Sequence, residues 1–210
     1  VKNFGARRLY LCTPYREDLA RFVAEVIEGG VDIVQLREKH LEARELLQVA
    51  EQVQAVCAAA DVPFIMNDRP DLALELGADG VHVGQDDAPV SLCRRILGPD
   101  AIIGLSTHAP AELAEALDED VTYLSAGPVE ATPTKPGRPA TGVAYATQAI
   151  EAANVPVFVT GGVAPEHIEG LAVAGVRHFV VVRYLTEATD PKGAAFRLRR
   201  EIDGAVNSFS

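Results

Sequence analysis

Short runs of β-branched and apolar residues alternate with longer amphipathic stretches from one end of the chain to the other. Such short runs read as strands, and stretches with apolar residues at i, i+3, i+4 and i+7 read as helices. The strands predicted are Leu9–Cys12, Asp32–Leu36, Phe64–Met66, Gly80–Val83, Ile102–Leu105, Tyr123–Ala126, Val157–Val159 and His178–Val182. Helices are predicted over 17–28, 41–59, 69–76, 89–97, 110–119, 142–152, 165–173 and 191–203. Strands that each precede a helix close as a parallel barrel once there are about eight of them. The expected fold is therefore α/β, a single (β/α)8 TIM barrel over residues 1–210. Glycines at Gly29-Gly30, Gly77 and Gly175 are placed to close the preceding helices. One segment breaks the rhythm: residues Gly127 to Gly142, after the sixth strand, form a long proline-containing loop, and such loops in compact domains are often functional.

Composition narrows the class. A chain of 210 residues that is 48% hydrophobic, with no linker-like stretch, suits one soluble domain. The formal net charge of −11 argues against non-specific nucleic-acid binding and against an anionic membrane surface, both of which need a positive field. It leaves room for an anionic small molecule held by a few convergent cations. The start, VKNFGARRLYLC, lacks a small-residue cleavage pattern and no run nears ~18 apolar residues, so a cytoplasmic protein is expected. Cys12, Cys57 and Cys93 are odd in number and widely spaced, which fits neither a disulfide framework nor a zinc site.

The chemistry gathers at the strand ends. In VQLREK, alternation sends Gln35, Arg37 and Lys39 to one side and Val34 and Leu36 to the helix-facing side. Two cations and an amide converging on the barrel mouth make a site for an anion, with a diphosphate as the natural partner; surface charges on a solvated strand end are the plain alternative. The next two strands end in Asn67-Asp68 and Gln85-Asp86-Asp87, where carboxylates from neighbouring strands can approach one hard cation, Mg2+. Asp71 and Asp86 are expected to serve locally as helix caps. His82, within a strand, reads as a packed, hydrogen-bonded core residue. Ser106 in LSTH suits a phosphate contact, and no acid is expected to orient His108. The long loop adds Thr132, Thr134, Lys135 and Arg138 between prolines. Gly161-Gly162 and the end of the eighth strand, Val182-Arg183, lie where barrels often cradle a second phosphate.

Taken in order, YLCT, VQLREK, NDR, GADGVHVGQDD, IGLSTH, GPVEATPTKPGRP and the Gly-Gly turn resemble the thiamine phosphate synthase family over residues 9 to about 198. The resemblance implies a (β/α)8 barrel, usually a homodimer, that joins a hydroxymethylpyrimidine diphosphate to a thiazole phosphate and releases pyrophosphate. It implies that Gln35, Arg37, Lys39 and Asn67 contact the pyrimidine diphosphate, that Asp68 and Asp87 hold Mg2+, and that Ser106 and Lys135 complete the grip. Arg37, Lys39 and Lys135 would be the catalytic cations. Thr132, Thr134, Gly162 and the backbone at Val182 and Arg183 would hold the thiazole phosphate. Arg183 stands where that pattern has serine, which leaves its N–H as the group carried over, and Glu130 and Ala131 replace bulkier residues. Rival readings are a related thiazole tautomerase, a non-catalytic sensor of phosphorylated ligands, and a sugar-phosphate isomerase or aldolase, for which no positioned acid, base or Schiff-base lysine is evident.

Overall fold

The structure is a computed structural model that describes residues 4–131 and 139–209. Among these, eight parallel strands pair in sequence order and close into a barrel: β1 (Leu9–Thr13), β2 (Ile33–Leu36), β3 (Phe64–Asn67), β4 (Gly80–Val83), β5 (Ile102–Thr107), β6 (Tyr123–Ala126), β7 (Val157–Val159) and β8 (His178–Val181). β8 returns to β1 with Leu9 opposite Phe179 and Leu11 opposite Val181. The helices are α1 (Leu19–Glu28), α2 (Ala43–Ala59), α3 (Pro70–Leu76), α4 (Val90–Leu97), α5 (Pro110–Ala116), α6 (Gly142–Ala152), α7 (Pro165–Val173), α8 (Arg183–Thr186) and α9 (Pro191–Ser208).

Each strand sends alternate residues outward to the helices and inward to the barrel axis. Outward residues such as Leu11, Val34, Met66 and Val81 join the buried layer beneath the helices, where α1 contributes Leu19, Phe22, Val23 and Val26 at helical spacing. Truncating a side chain as buried as Phe22 costs about 3–5 kcal/mol. The lower interior is apolar: Ile33, Ile65, Ile102 and Phe158 pack with Tyr10 and Tyr123. Phe4, on a 3₁₀ turn before β1, closes the barrel bottom by stacking on Tyr123 at 5.1 Å. The upper interior is polar, built from Gln35, Asn67, His82, Ser106 and Ser125, all buried. The inward set thus changes character from bottom to top, and the polar end faces the C-terminal mouth.

Most predicted elements shift at one end by one to five residues, β1, β3 and β5 running on to Thr13, Asn67 and Thr107, and two of the shifts have clear physical reasons. β2 starts at Ile33 because the Asp32 carboxylate is spent on the barrel bottom, accepting the N–H groups of Arg8 and Leu9 at 2.9 Å each and pairing with Arg199 at 2.7 Å. Arg199 also bridges to Asp203 at 2.8 Å, so α9 is tied to the first two strands. β8 ends at Val181, and Val182 becomes the N-cap of α8, a one-turn helix absent from the pattern-based expectation. Gly77 closes α3 in a left-handed conformation at φ 68°, as its position predicts.

His178 at the foot of β8 gives a test of this packing. Its Nδ1 donates to the Arg7 carbonyl at 2.6 Å, and burial holds its pKa below the ordinary 6.5. The unfolded chain therefore binds more protons, so the stability associated with neutral His178 is present above pH 6.5 and lost as pH falls toward the folded-state value. Urea denaturation of wild type should weaken from pH 7.5 to 5.5, and His178→Asn, which keeps a donor without the titration, should weaken less. Equal pH dependence in the two proteins would contradict the assignment.

Candidate active site

The polar end of the barrel opens into a cavity of about 640 Å³, a size suited to a small ligand. Gln35, Arg37, Lys39, Asn67, Asp68, Asp87, Ser106, Gly162, Val182 and Arg183 all line it. The structure thus brings together, from six strand ends, every described residue that the sequence assigned to substrate or metal binding. Thr132, Thr134 and Lys135 lie outside the described residues, so the contribution of the long loop is defined only at its base.

On one side, β2 ends at Leu36 and the chain continues in register, the Arg37 N–H donating to the Thr13 carbonyl at 2.8 Å. Arg37 and Lys39 then stand over the cavity. Beside them, Asp68 follows Asn67 at the end of β3 with φ 60°, a left-handed conformation that a non-glycine residue seldom adopts and that clusters at functional positions. Its N–H donates to the His82 carbonyl at 2.9 Å, which fixes the turn to β4. Lys39 Nζ lies 2.9 Å from Asp68 Oδ2. Asp87 folds back so that its Oδ2 accepts the Gly84 N–H at 2.9 Å, and a side chain at Gly84 would crowd that oxygen.

The Asp68 and Asp87 carboxylates are close enough to interact. Burial pushes the Asp68 carboxyl above its ordinary range, the Lys39 ammonium pulls it back, and the neighbouring Asp87 carboxylate pushes it up again. Two carboxylates this close resist joint ionisation unless a cation joins them. The donor chemistry fits a hard divalent cation that draws the rest of its shell from water and ligand oxygens. Among the described residues no group of three or more potential protein ligands is assembled, so these two would have to be supplemented from outside the protein.

The opposite side is built from backbone. Gly161 and Gly162 hold φ of 94° and 71°, and a Cβ at Gly161 would run into Pro128 at 2.5 Å. His167 Nδ1 donates to the Gly162 carbonyl at 2.5 Å, holding the turn from α7. Val182 and Arg183 approach from β8 and α8. A Cβ at Gly162 would run into the Glu130 carboxylate, which stands 3.9 Å from His167 Nε2, so this side carries an acidic group that no cation-rich anion site would be expected to include.

Several lining residues were not singled out from the sequence. Ser125 and Cys12 occupy inward positions on β6 and β1, two residues beyond Tyr123 and Tyr10, and strand alternation alone would have found them. His82 is the buried, hydrogen-bonded residue expected, and it also forms part of the cavity floor. The expectation that no acid orients His108 is wrong: α5 begins just after it and places Glu112 Oε2 2.9 Å from His108 Nδ1 and 2.7 Å from its N–H. That contact spans one helical turn.

Comparison with known proteins finds the same chemistry named repeatedly. The family model described as thiamine monophosphate synthase matches residues 9–185. The thiamine-phosphate synthase of Thermobifida fusca is 46% identical over 211 residues, covering 98% of this chain and 96% of that protein. The thiamine-phosphate synthase of Thermus thermophilus is 47% identical over 181 residues, covering 86% and 87%. The solved thiamine phosphate pyrophosphorylase from Pyrococcus furiosus aligns with a TM-score of 0.87 at 28% identity, covering 96% of this chain and 98% of that one.

The acidic pair yields a direct prediction. Asp68→Asn removes one member of an ion pair whose lysine is 48% exposed, and it relieves a like-charge contact. The melting temperature of the ligand-free protein should therefore stay within about 4 °C of wild type. A much larger loss by scanning calorimetry would make Asp68 a structural residue.

Proposed function

The chain belongs to the thiamine monophosphate synthase family, and from that premise we propose that it joins a hydroxymethylpyrimidine diphosphate to a thiazole phosphate, giving thiamine phosphate and pyrophosphate. It is a transferase. The observation that carries the reading is the division of one cavity into a cation-lined half at β2 and a glycine-turn half at β7 and β8. Two anionic substrates need two such halves.

In the proposed reaction, the bond from the pyrimidine methylene carbon to the diphosphate oxygen breaks and its electron pair leaves with pyrophosphate. The carbon left behind is stabilised by electron release from the pyrimidine's own amino group. The thiazole nitrogen then supplies the pair for the new carbon–nitrogen bond. No protein nucleophile takes part. Arg37 and Lys39 offset the charge that grows on the leaving group, and Lys135 from the long loop joins them. Gln35 and Asn67, buried at the cavity floor, orient the pyrimidine diphosphate, and Ser106 donates to it. Thr132, Thr134, Gly162 and the N–H groups at Val182 and Arg183 hold the acceptor's phosphate so that its ring nitrogen faces the reacting carbon.

Asp68 and Asp87 are the residues that would hold Mg2+. When bound there, the ion would add positive charge against the diphosphate oxygens. The mutual repulsion of these carboxylates supports that role. A homodimer in the cytoplasm belongs to the same proposal; no helix among the described residues is long and apolar enough to cross a membrane.

Purified protein given both phosphorylated halves and Mg2+ should form thiamine phosphate and pyrophosphate in equal amounts. Binding of both halves by calorimetry without product would favour a ligand sensor instead. Arg37→Ala should lower turnover by roughly 10²–10³, as expected when a group that meets developing charge is removed. Activity within a few fold of wild type would remove Arg37 from that role.

A further inference from the structure

Five hydrogen bonds run across the barrel floor without a break. The Cys12 thiol donates to Gln35 Oε1 at 3.2 Å, and Gln35 Nε2 donates to the Tyr10 hydroxyl at 2.7 Å. The Tyr10 and Tyr123 hydroxyls are 2.8 Å apart, Tyr123 lies 2.9 Å from His82 Nδ1, and His82 Nε2 lies 2.8 Å from Ser106 Oγ. Gly104 makes this possible, since a side chain there would collide with the Tyr123 phenol and with His82.

Donor counting gives the chain a direction. Burial pushes both phenols well above their ordinary pKa, so each keeps its proton and can donate once. The Tyr10 oxygen accepts from Gln35, and giving its own proton to Tyr123 is the order that strands neither buried phenol proton. The Tyr123 proton then goes to His82 Nδ1, which must carry a lone pair, leaving the imidazole proton on Nε2. That proton is donated to Ser106 Oγ, which leaves the serine's own proton free for a group other than the histidine, and Ser106 lines the cavity. We propose that Tyr123 is a positioning residue, which transmits the donor order from Gln35 to Ser106 and so sets the Ser106 hydroxyl as a donor to an anionic diphosphate or pyrophosphate. This rests on the reading of the cavity as the diphosphate site. Gln35 and Ser106, on opposite sides of the floor, thereby act together.

The test uses inorganic pyrophosphate with Mg2+ and the full-length protein. Tyr123→Phe should weaken pyrophosphate binding by about threefold to tenfold in calorimetry, the loss expected for one donated hydrogen bond. In a Ser106→Ala background the same change should have no further effect. In wild type saturated with pyrophosphate, nitrogen-15 NMR should find His82 protonated on Nε2 and not on Nδ1. Tyr10→Phe, which breaks the chain one link earlier, should give the same pattern if Tyr123→Phe does not fold. Unchanged affinity in both tyrosine variants, additive losses with Ser106→Ala, or a proton on His82 Nδ1 in the complex would overturn the inference. Failure to make thiamine phosphate while these results hold would instead count against the proposed reaction.

Discussion

The contact between the Asp68 and Asp87 carboxylates is the constraint around which the mouth of this barrel is arranged. A partly buried carboxylate beside a second, exposed one is unfavourable on its own, and the fold does not avoid the pairing: it commits Asp68 to a left-handed backbone conformation and draws Asp87 back through the Gly84 N–H. Lys39 supplies one compensating charge at 2.9 Å. In the proposed reaction, the remaining imbalance is what a cation at the rim, and through it the oxygens of an anion, would offset. The same logic explains how a protein of net charge −11 can take highly anionic substrates, since local placement rather than the total decides the field in the cavity.

The two halves of the cavity use different physics. Side-chain charge dominates at β2 to β4, where Arg37 and Lys39 line the cavity beside the acidic pair. Backbone dominates at β7 and β8, where glycines at positive φ let N–H groups approach a ligand. Glu130 beside Gly162 tempers the second half. Between them lies a floor in which Tyr10, Tyr123 and His82 satisfy one another, so that polar groups can sit inside a closed barrel without stranded donors.

Much of this architecture was legible in the chain. Alternation in VQLREK separated Val34 and Leu36 from Gln35, and Gln35 does face inward. Strand order placed Asp68 beside Asp87 because β3 and β4 are neighbours in a barrel wound in sequence order. What stayed hidden depends on closure or on side-chain reach. Asp32 reads as a strand residue until Arg199, far along the chain, is seen to claim it. Glu112 approaches His108 only because α5 starts immediately after β5. The chain of hydrogen bonds from Cys12 to Ser106 draws on five strands, and no local pattern reports a contact that exists only once β1 meets β6 across the interior. The short helix α8 is a single turn, too brief for periodicity to register.

In the proposed reaction, the charged half of the cavity receives the pyrophosphate leaving group, with a divalent ion held by Asp68 and Asp87. A crystal structure of the protein with Mn2+ and pyrophosphate tests it most directly, because the anomalous signal of manganese locates the ion independently of its ligands. The expected result is one peak at the Asp68 and Asp87 carboxylates, with pyrophosphate beside it on Arg37 and Lys39. Pyrophosphate seated on the Gly161-Gly162 turn with no metal at the acidic pair would contradict it.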